Sequence, residues 1–193
     1  MSEKLLEIRW HGRGGQGAKT AAAMVAEVAV EAGKYAQAAP EYGAEREGAP
    51  IKAYTRIDEA VIRTHDAIYF PDIVMVLDDT LLEGLGVVDG LSKDGVLMVN
   101  TRKTPAQVRQ QLGLDSGKVY TIDATTIAME EIGRPIPNTV MIGALVAVAG
   151  VVDAEHIEKD IRKKLGGKLS EGMIEGNFRA LRRAAQEVKG DNG

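Results

Sequence analysis

Apolar residues fall in two rhythms along the chain, and the rhythms take turns. Residues 5–10 form a short strand-like run that ends at a cluster of glycines. Beyond it Ala21, Val25, Val28, Ala29 and Ala32 recur at helical spacing, which predicts a helix over 18–32 with Gly33 as its stop. A short second strand is predicted over 35–39. Residues 40–50 have no apolar period and hold two glycines, two prolines and four charges, so they read as a loop. Residues 51–57 alternate as a half-buried strand does, and 60–63 read as a short strand or turn.

The run 73–77 is continuously apolar between Asp72 and Asp78, which predicts a central parallel strand buried on both faces. Asp78, Asp79 and Thr80 then cap a short helix through Leu82. Residues 95–100 repeat the buried-strand pattern. Thr104 caps, and Pro105 opens, a helix ending near 112–113. Another strand follows at 118–122, and Asp123 caps a helix through 132–133. Asn138 reads as the cap of an apolar helix through 148. Two amphipathic helices close the chain, one with Ile157, Ile161 and Leu165 on its apolar face, the other with Phe178, Leu181 and Val188. Residues 189–193 read as a frayed tail. This alternation predicts one α/β domain over 1–193: a Rossmann-like three-layer sandwich with a mostly parallel sheet and C-terminal helices. Residues 35–63 would add antiparallel edge strands. No linker or internal repeat interrupts the pattern.

Composition narrows the chemistry. Of 193 residues, 45% are hydrophobic and 27% charged, the balance of a soluble globular domain. The net charge of -4 gives no overall basic field for nucleic acid. With no cysteine, the chain lacks thiolate nucleophiles, disulfides and cysteine-held clusters, and fits a reducing, cytoplasmic setting. Its three histidines, His11, His65 and His156, are too scattered for a histidine metal site. The amino end has no apolar core of a signal peptide, and the longest apolar run, 140–152, is too short to span a bilayer.

The segment Gly12-Arg13-Gly14-Gly15-Gln16-Gly17 joins the first strand to the first helix. Glycines there allow a tight turn, and the helix N-terminus aims N–H groups and its positive dipole end at an anion. Arg13 and Lys19 could neutralise a phosphate, with Thr20 in the first turn. The spacing matches G-x-G-x-x-G, but a packing corner explains it equally. The acid that a dinucleotide would need is available only as Glu41, after Pro40. The P-loop pattern fails because Ala18 follows Gly17 and the lysine comes one place late. His11 reads either as an anion contact or as a hydrogen-bonded strand-end residue. Asp78 and Asp79 sit at a strand's carboxyl end but are explained by capping. Glu45, Arg46 and Glu47 read as a solvated charge run or an interface rim. No catalytic constellation emerges.

Four blocks in order carry a resemblance: IRWHGRGGQG at 8–17, YAQAAPEYGAEREGAP at 35–50, DATTIAMEE at 123–131 and GRPIPNTVMIG at 133–143, with Asn177 beyond them. Together they resemble the gamma subunit, or its domain III equivalent, of 2-oxoacid:ferredoxin oxidoreductases, especially the pyruvate type. The resemblance implies oxidative decarboxylation of a 2-oxoacid in an anaerobic setting, with coenzyme A taking the acyl group and ferredoxin the electrons. It implies thiamine diphosphate with Mg, and [4Fe-4S] clusters, on alpha, beta and delta partner subunits. This chain would be structural or coenzyme A-gating, with no catalytic residue, no metal and no cofactor held alone. Gly12, Arg13, Gly14, Gly15, Gln16, Gly17, Lys19 and Thr20 would hold part of coenzyme A or pack on a partner. Glu47 departs from the arginine or glycine that many members carry nearby. Pyruvate is the first choice of substrate, and branched-chain or aryl 2-oxoacids stay open. Two rival classes remain: an independent nucleotide-binding oxidoreductase and a pure scaffold.

Overall fold

The structure, a computed structural model, describes residues 5–41 and 48–191. The expected charge run at 45–47 lies outside them. Among the described residues, seven strands form one sheet: β1 (Leu6–Arg13), β2 (Tyr35–Pro40), β3 (Pro50–Asp58), β4 (Ile73–Val76), β5 (Val96–Asn100), β6 (Lys118–Ile122) and β7 (Lys189–Asp191). Their order across the sheet is β2-β3-β1-β4-β5-β6-β7. β1, β4, β5 and β6 pair in parallel. β3 runs against both β1 and β2, and β7 against β6, so five of the seven strands share one direction. The helices are α1 (Ala18–Glu31), α2 (Pro105–Leu112), α3 (Ala124–Ile132), α4 (Asn138–Ala149), α5 (Ala154–Leu165) and α6 (Glu171–Glu187).

The continuous apolar run of β4 is divided between two cores. Ile73, Met75 and Leu77 enter a large cluster with Ile8, Trp10 and helices α1, α3, α4, α5 and α6. Val74 and Val76 enter a small cluster with Leu81, Leu82, Leu97, Val99 and Val108 of α2. Successive strand side chains point to opposite faces, so a strand covered on both sides must be apolar throughout. β4 is the fourth of seven strands, as central as its composition implies.

On β1 the same alternation separates Ile8 and Trp10, in the large core, from Arg9, His11 and Arg13, which share the other face with Val74 and Val76. Trp10 is fully buried, and its Nε1 donates to Thr55 Oγ1 at 3.0 Å, which donates on to the Ala22 carbonyl of α1. The large core closes through tight helix contacts. A Cβ on Gly143 of α4 would fall 2.4 Å from the Leu181 carbonyl of α6, and Thr139 Oγ1 donates to the buried Asn177 Oδ1 at 2.9 Å.

Three expectations change. β1 runs on through Gly12 and Arg13 rather than stopping at residue 10, because β3 pairs with it up to Pro50. Residues 189–191 are not frayed: they pair with β6, and Arg109 Nε holds Asp191 at 2.9 Å. Asn138 is the first residue of α4 and not its cap; Pro137 takes that place without a side-chain bond.

Candidate functional site

The strand order reverses at β1. After β1 the chain lays down β2 and then β3 on one side, and returns to β4, β5 and β6 on the other. In open α/β sheets this reversal leaves a crevice at the carboxyl ends of the strands. Such a crevice is present here, with a volume of about 630 Å³, and Gln16, Asp78, Asn100, Arg102, Asp123 and Thr125 are among the residues lining it.

The glycine corner borders the crevice through Gln16, and Gly12, Gly15 and Gly17 each shape it. A Cβ on Gly12 would stand 3.1 Å from Ala18 Cβ and 3.5 Å from Leu77 Cβ, so this glycine lets α1 and β4 close against β1. Gly15 and Gly17 adopt positive φ of 96° and 82°, which side chains resist. Gly17 also lies under Asn138, whose Nδ2 would be 2.7 Å from an added Cβ. The amino ends of α1 and α4 therefore meet at this corner. Neither has a side-chain cap, and neither has an acid in its first turn.

Gln16 shapes the corner. Its Oε1 accepts from the Arg13 N–H at 2.8 Å and its Nε2 donates to Asp78 Oδ2 at 2.6 Å. Arg13 is engaged on three sides: it donates to the Gly48 carbonyl at 3.1 Å and to Thr80 Oγ1 at 2.8 Å, and its Nε lies 3.4 Å from Asp78. It clamps Gly48 to the turn after β4. Burial opposes the charge on Asp78. Hydrogen bonds from Thr80 and Gln16, with Arg13 nearby, still hold its carboxyl below the usual range.

The other side of the crevice comes from the carboxyl ends of β5 and β6 and the residues just after them. Asn100 is buried, donates to the Leu77 carbonyl and to Thr125 Oγ1, both at 2.8 Å, and accepts from the Thr125 N–H. Thr101 donates to Asp79 at 2.6 Å. Arg102 bridges Asp123 and Thr126 at 2.8 and 2.9 Å. Asp123 caps α3 through the Thr126 N–H, as expected. Burial opposes its charge as well, and bonds from Thr126 and Arg102 depress its pKa nonetheless.

Of the residues expected at the site, Gln16 lines the crevice; Arg13 is tied to it through its N–H on Gln16 and its side chain on Thr80, and the glycines are not among the lining residues. Lys19 and Thr20 lie in the first turn of α1, half-buried and exposed. His11 is not an anion contact. It is buried, its Nε2 accepts from Arg9 Nε at 3.1 Å, and burial with Arg9 and Lys52 nearby lowers its pKa to about 3. Asp78 does cap, giving a 3₁₀ turn over Asp79–Leu82. Glu41 lies beyond edge strand β2, its N–H bound to the Lys52 carbonyl and its carboxylate 3.6 Å from Lys52 Nζ. Because β3 separates β2 from β1, Glu41 is not at the strand beside the glycine corner where a dinucleotide's ribose would need it.

Asn100, Arg102 and Thr125 were missed. Their signal was positional: each lies at or just past the carboxyl end of a buried parallel strand.

A model of the family described as pyruvate ferredoxin/flavodoxin oxidoreductase matches residues 7–187. The chain belongs to this family. Pyruvate synthase subunit PorC of Thermotoga maritima, a relative within the family, is 54% identical over 189 residues, 98% of this chain and 97% of that protein. The pyruvate/ketoisovalerate oxidoreductases common subunit gamma of Pyrococcus abyssi is 46% identical over 96% of this chain and 98% of its own length. A crystal structure of pyruvate oxidoreductase subunit PORC from Thermotoga maritima superposes with a TM-score of 0.87 at 52% identity, covering 98% of this chain and 99% of that one. As an oxidoreductase-family chain it has no cysteine to ligate a cluster, and among the described residues no three His, Asp or Glu side chains group as a metal site. No helix among the described residues is long and apolar enough to cross a membrane.

Proposed function

We propose that this chain is the gamma subunit of a cytoplasmic pyruvate:ferredoxin oxidoreductase, in which its glycine corner holds an anionic part of coenzyme A. The names of its full-length relatives support the first half of that reading. The second half rests on one observation: α1 opens at Gly17 with no side-chain cap and no acid, and carries Lys19 in its first turn. Lys19 and the N–H groups of that turn direct positive charge to one place, where an anion is favoured.

The partner alpha, beta and delta subunits would carry thiamine diphosphate with Mg and the [4Fe-4S] clusters, which this cysteine-free chain does not fit. When bound there, thiamine diphosphate supplies decarboxylation chemistry, and the clusters pass electrons to ferredoxin. This chain would supply positioning. N–H groups of α1 and Lys19 would bind the anion, Gln16 would hold the corner's shape, and Arg13 would lock the corner to residues 48 and 80. Arg13 is thus a positioning residue, because its donors are already directed at Thr80, Gly48 and Asp78.

In the assembled enzyme, Lys19→Ala is expected to raise the KM for coenzyme A about five- to tenfold with little change in kcat, the loss of one charge-assisted contact. An unchanged KM would remove the coenzyme A role. A second reading draws on Asp78, Asp79 and Asp123, three carboxylates that make the depth of the crevice unwelcoming to phosphate. On that reading the corner packs against a partner subunit, and Lys19→Ala would lower recovery of the complex instead.

A further inference from the structure

The end of the sheet opposite the crevice carries a surface that nothing above uses. Tyr69 and Phe70 are adjacent in sequence and 69% and 78% exposed. The chain has two phenylalanines, and the other, Phe178, is buried. Two neighbouring aromatics this open to water are unfavourable unless something covers them.

The segment that holds them is not loose. Arg9, buried within β1, donates to the carbonyls of Ile68 at 3.2 Å, Val87 at 3.0 Å and Asp89 at 2.6 Å. Arg56, buried within β3, donates to the Asp66 carbonyl at 2.8 Å. Asp72 donates its N–H to the Glu7 carbonyl, and its carboxylate accepts from the Glu7 N–H. Gly90 packs so closely that an added Cβ would fall 1.9 Å from the Tyr69 carbonyl. Two buried guanidinium groups thus direct donors at neutral carbonyls and fix a short stretch whose outward side chains are Tyr69 and Phe70. A rigid platform of this kind binds without the entropy cost of ordering a loop.

Charge selects the occupant. Residues 58–72 and 84–94, which lead into β4 and β5 at this end, hold six acidic and two basic side chains, although the whole chain is only -4. Exposed Asp66 and Asp89 flank the aromatic pair. A second copy of this chain docked face to face across a two-fold axis would bring those acids against their own images. We infer that Tyr69 and Phe70 form an acid-rimmed docking platform for a basic face of another subunit of the oxidoreductase. The platform rests on family membership and not on the coenzyme A reading.

The test is made in the assembled enzyme. With p-benzoylphenylalanine in place of Phe70, illumination should crosslink this chain to a Lys- or Arg-bearing segment of a different subunit, identified by mass spectrometry. Phe70→Ser combined with Tyr69→Ser should weaken association of this chain about tenfold or more, and raised ionic strength should weaken the wild type too. The thermal midpoint of the isolated variant should stay close to that of the wild type, since both side chains are exposed. A crosslink to a second copy of this chain would overturn the proposal. So would no crosslink within an intact enzyme, or wild-type retention of the double variant.

Discussion

Arg9 and Arg13 stand four residues apart on one face of one strand, yet they serve opposite ends of the molecule. Arg9 is 6% exposed and gathers the carbonyls of residues 68, 87 and 89 beneath the aromatic platform. Arg13 stands at the rim of the crevice and ties Gly48, Thr80 and Asp78 together around the glycine corner. Both are clamps, but solvent access differs. The Ile68 and Val87 carbonyls that Arg9 holds are buried away from water, whereas Arg13's bonds to Gly48 and Thr80 are exposed to it. A buried acceptor left without a donor costs the full desolvation of that group; an exposed one does not.

Replacing each arginine separates the two cases. Arg9→Met should lower unfolding free energy by about 3 kcal/mol or more, since three carbonyls and His11 lose their donor, as read from the urea midpoint at constant slope. The neighbouring His11 gives the next effect. Folded His11 stays neutral down to about pH 3, while its unfolded counterpart takes a proton near pH 6.5. Between these values the unfolded chain binds more protons, so this contribution is complete above pH 6.5 and falls as pH drops toward 3. His11→Asn should flatten the acid limb of stability against pH, by up to about 1.4 kcal/mol per pH unit. A parallel limb in the variant would show that His11 titrates normally.

At the crevice end the expected losses are smaller. Gly17→Ala forces a side chain onto positive φ and against Asn138, and should cost about 1–3 kcal/mol. Recovery of stability in Gly17→Ala with Asn138→Gly, relative to the single change, would assign part of that cost to the contact. Arg13→Gln should cost less than about 1 kcal/mol. If it costs as much as Arg9→Met, the contrast between a buried and a rim clamp fails.

Legibility in the sequence follows the same division. Elements with a single job were plain: β6 spans residues 118–122 as its pattern predicts, and α2 has the Thr104–Gln107 capping box and Pro105 start. Elements shaped by distant partners were not. The reach of β1 to Arg13 depends on its pairing with Pro50 of the distant strand β3, and β7 exists only because β6 offers a free edge. The glycine corner was legible because positive φ demands glycine in the sequence itself. Asn100 and Thr125 were not, because an asparagine that joins the residue after β4 to the start of α3 looks like any polar residue at a strand's end. Nothing in the sequence singles out Arg9; its burial appears only when the loops at 68 and 87–89 close over it.

The central claim is that the two ends of the sheet do separate work, ligand holding at the carboxyl end and subunit docking at the amino end. The direct test measures the KM for coenzyme A and the retention of this chain together, in enzyme assembled with Lys19→Ala or with the Tyr69→Ser, Phe70→Ser pair. The account predicts that the first raises KM and leaves assembly intact, while the second weakens assembly and leaves the KM of the surviving complex unchanged. If Lys19→Ala leaves KM unaltered, or the aromatic pair changes KM in a fully assembled enzyme, the division of labour is wrong.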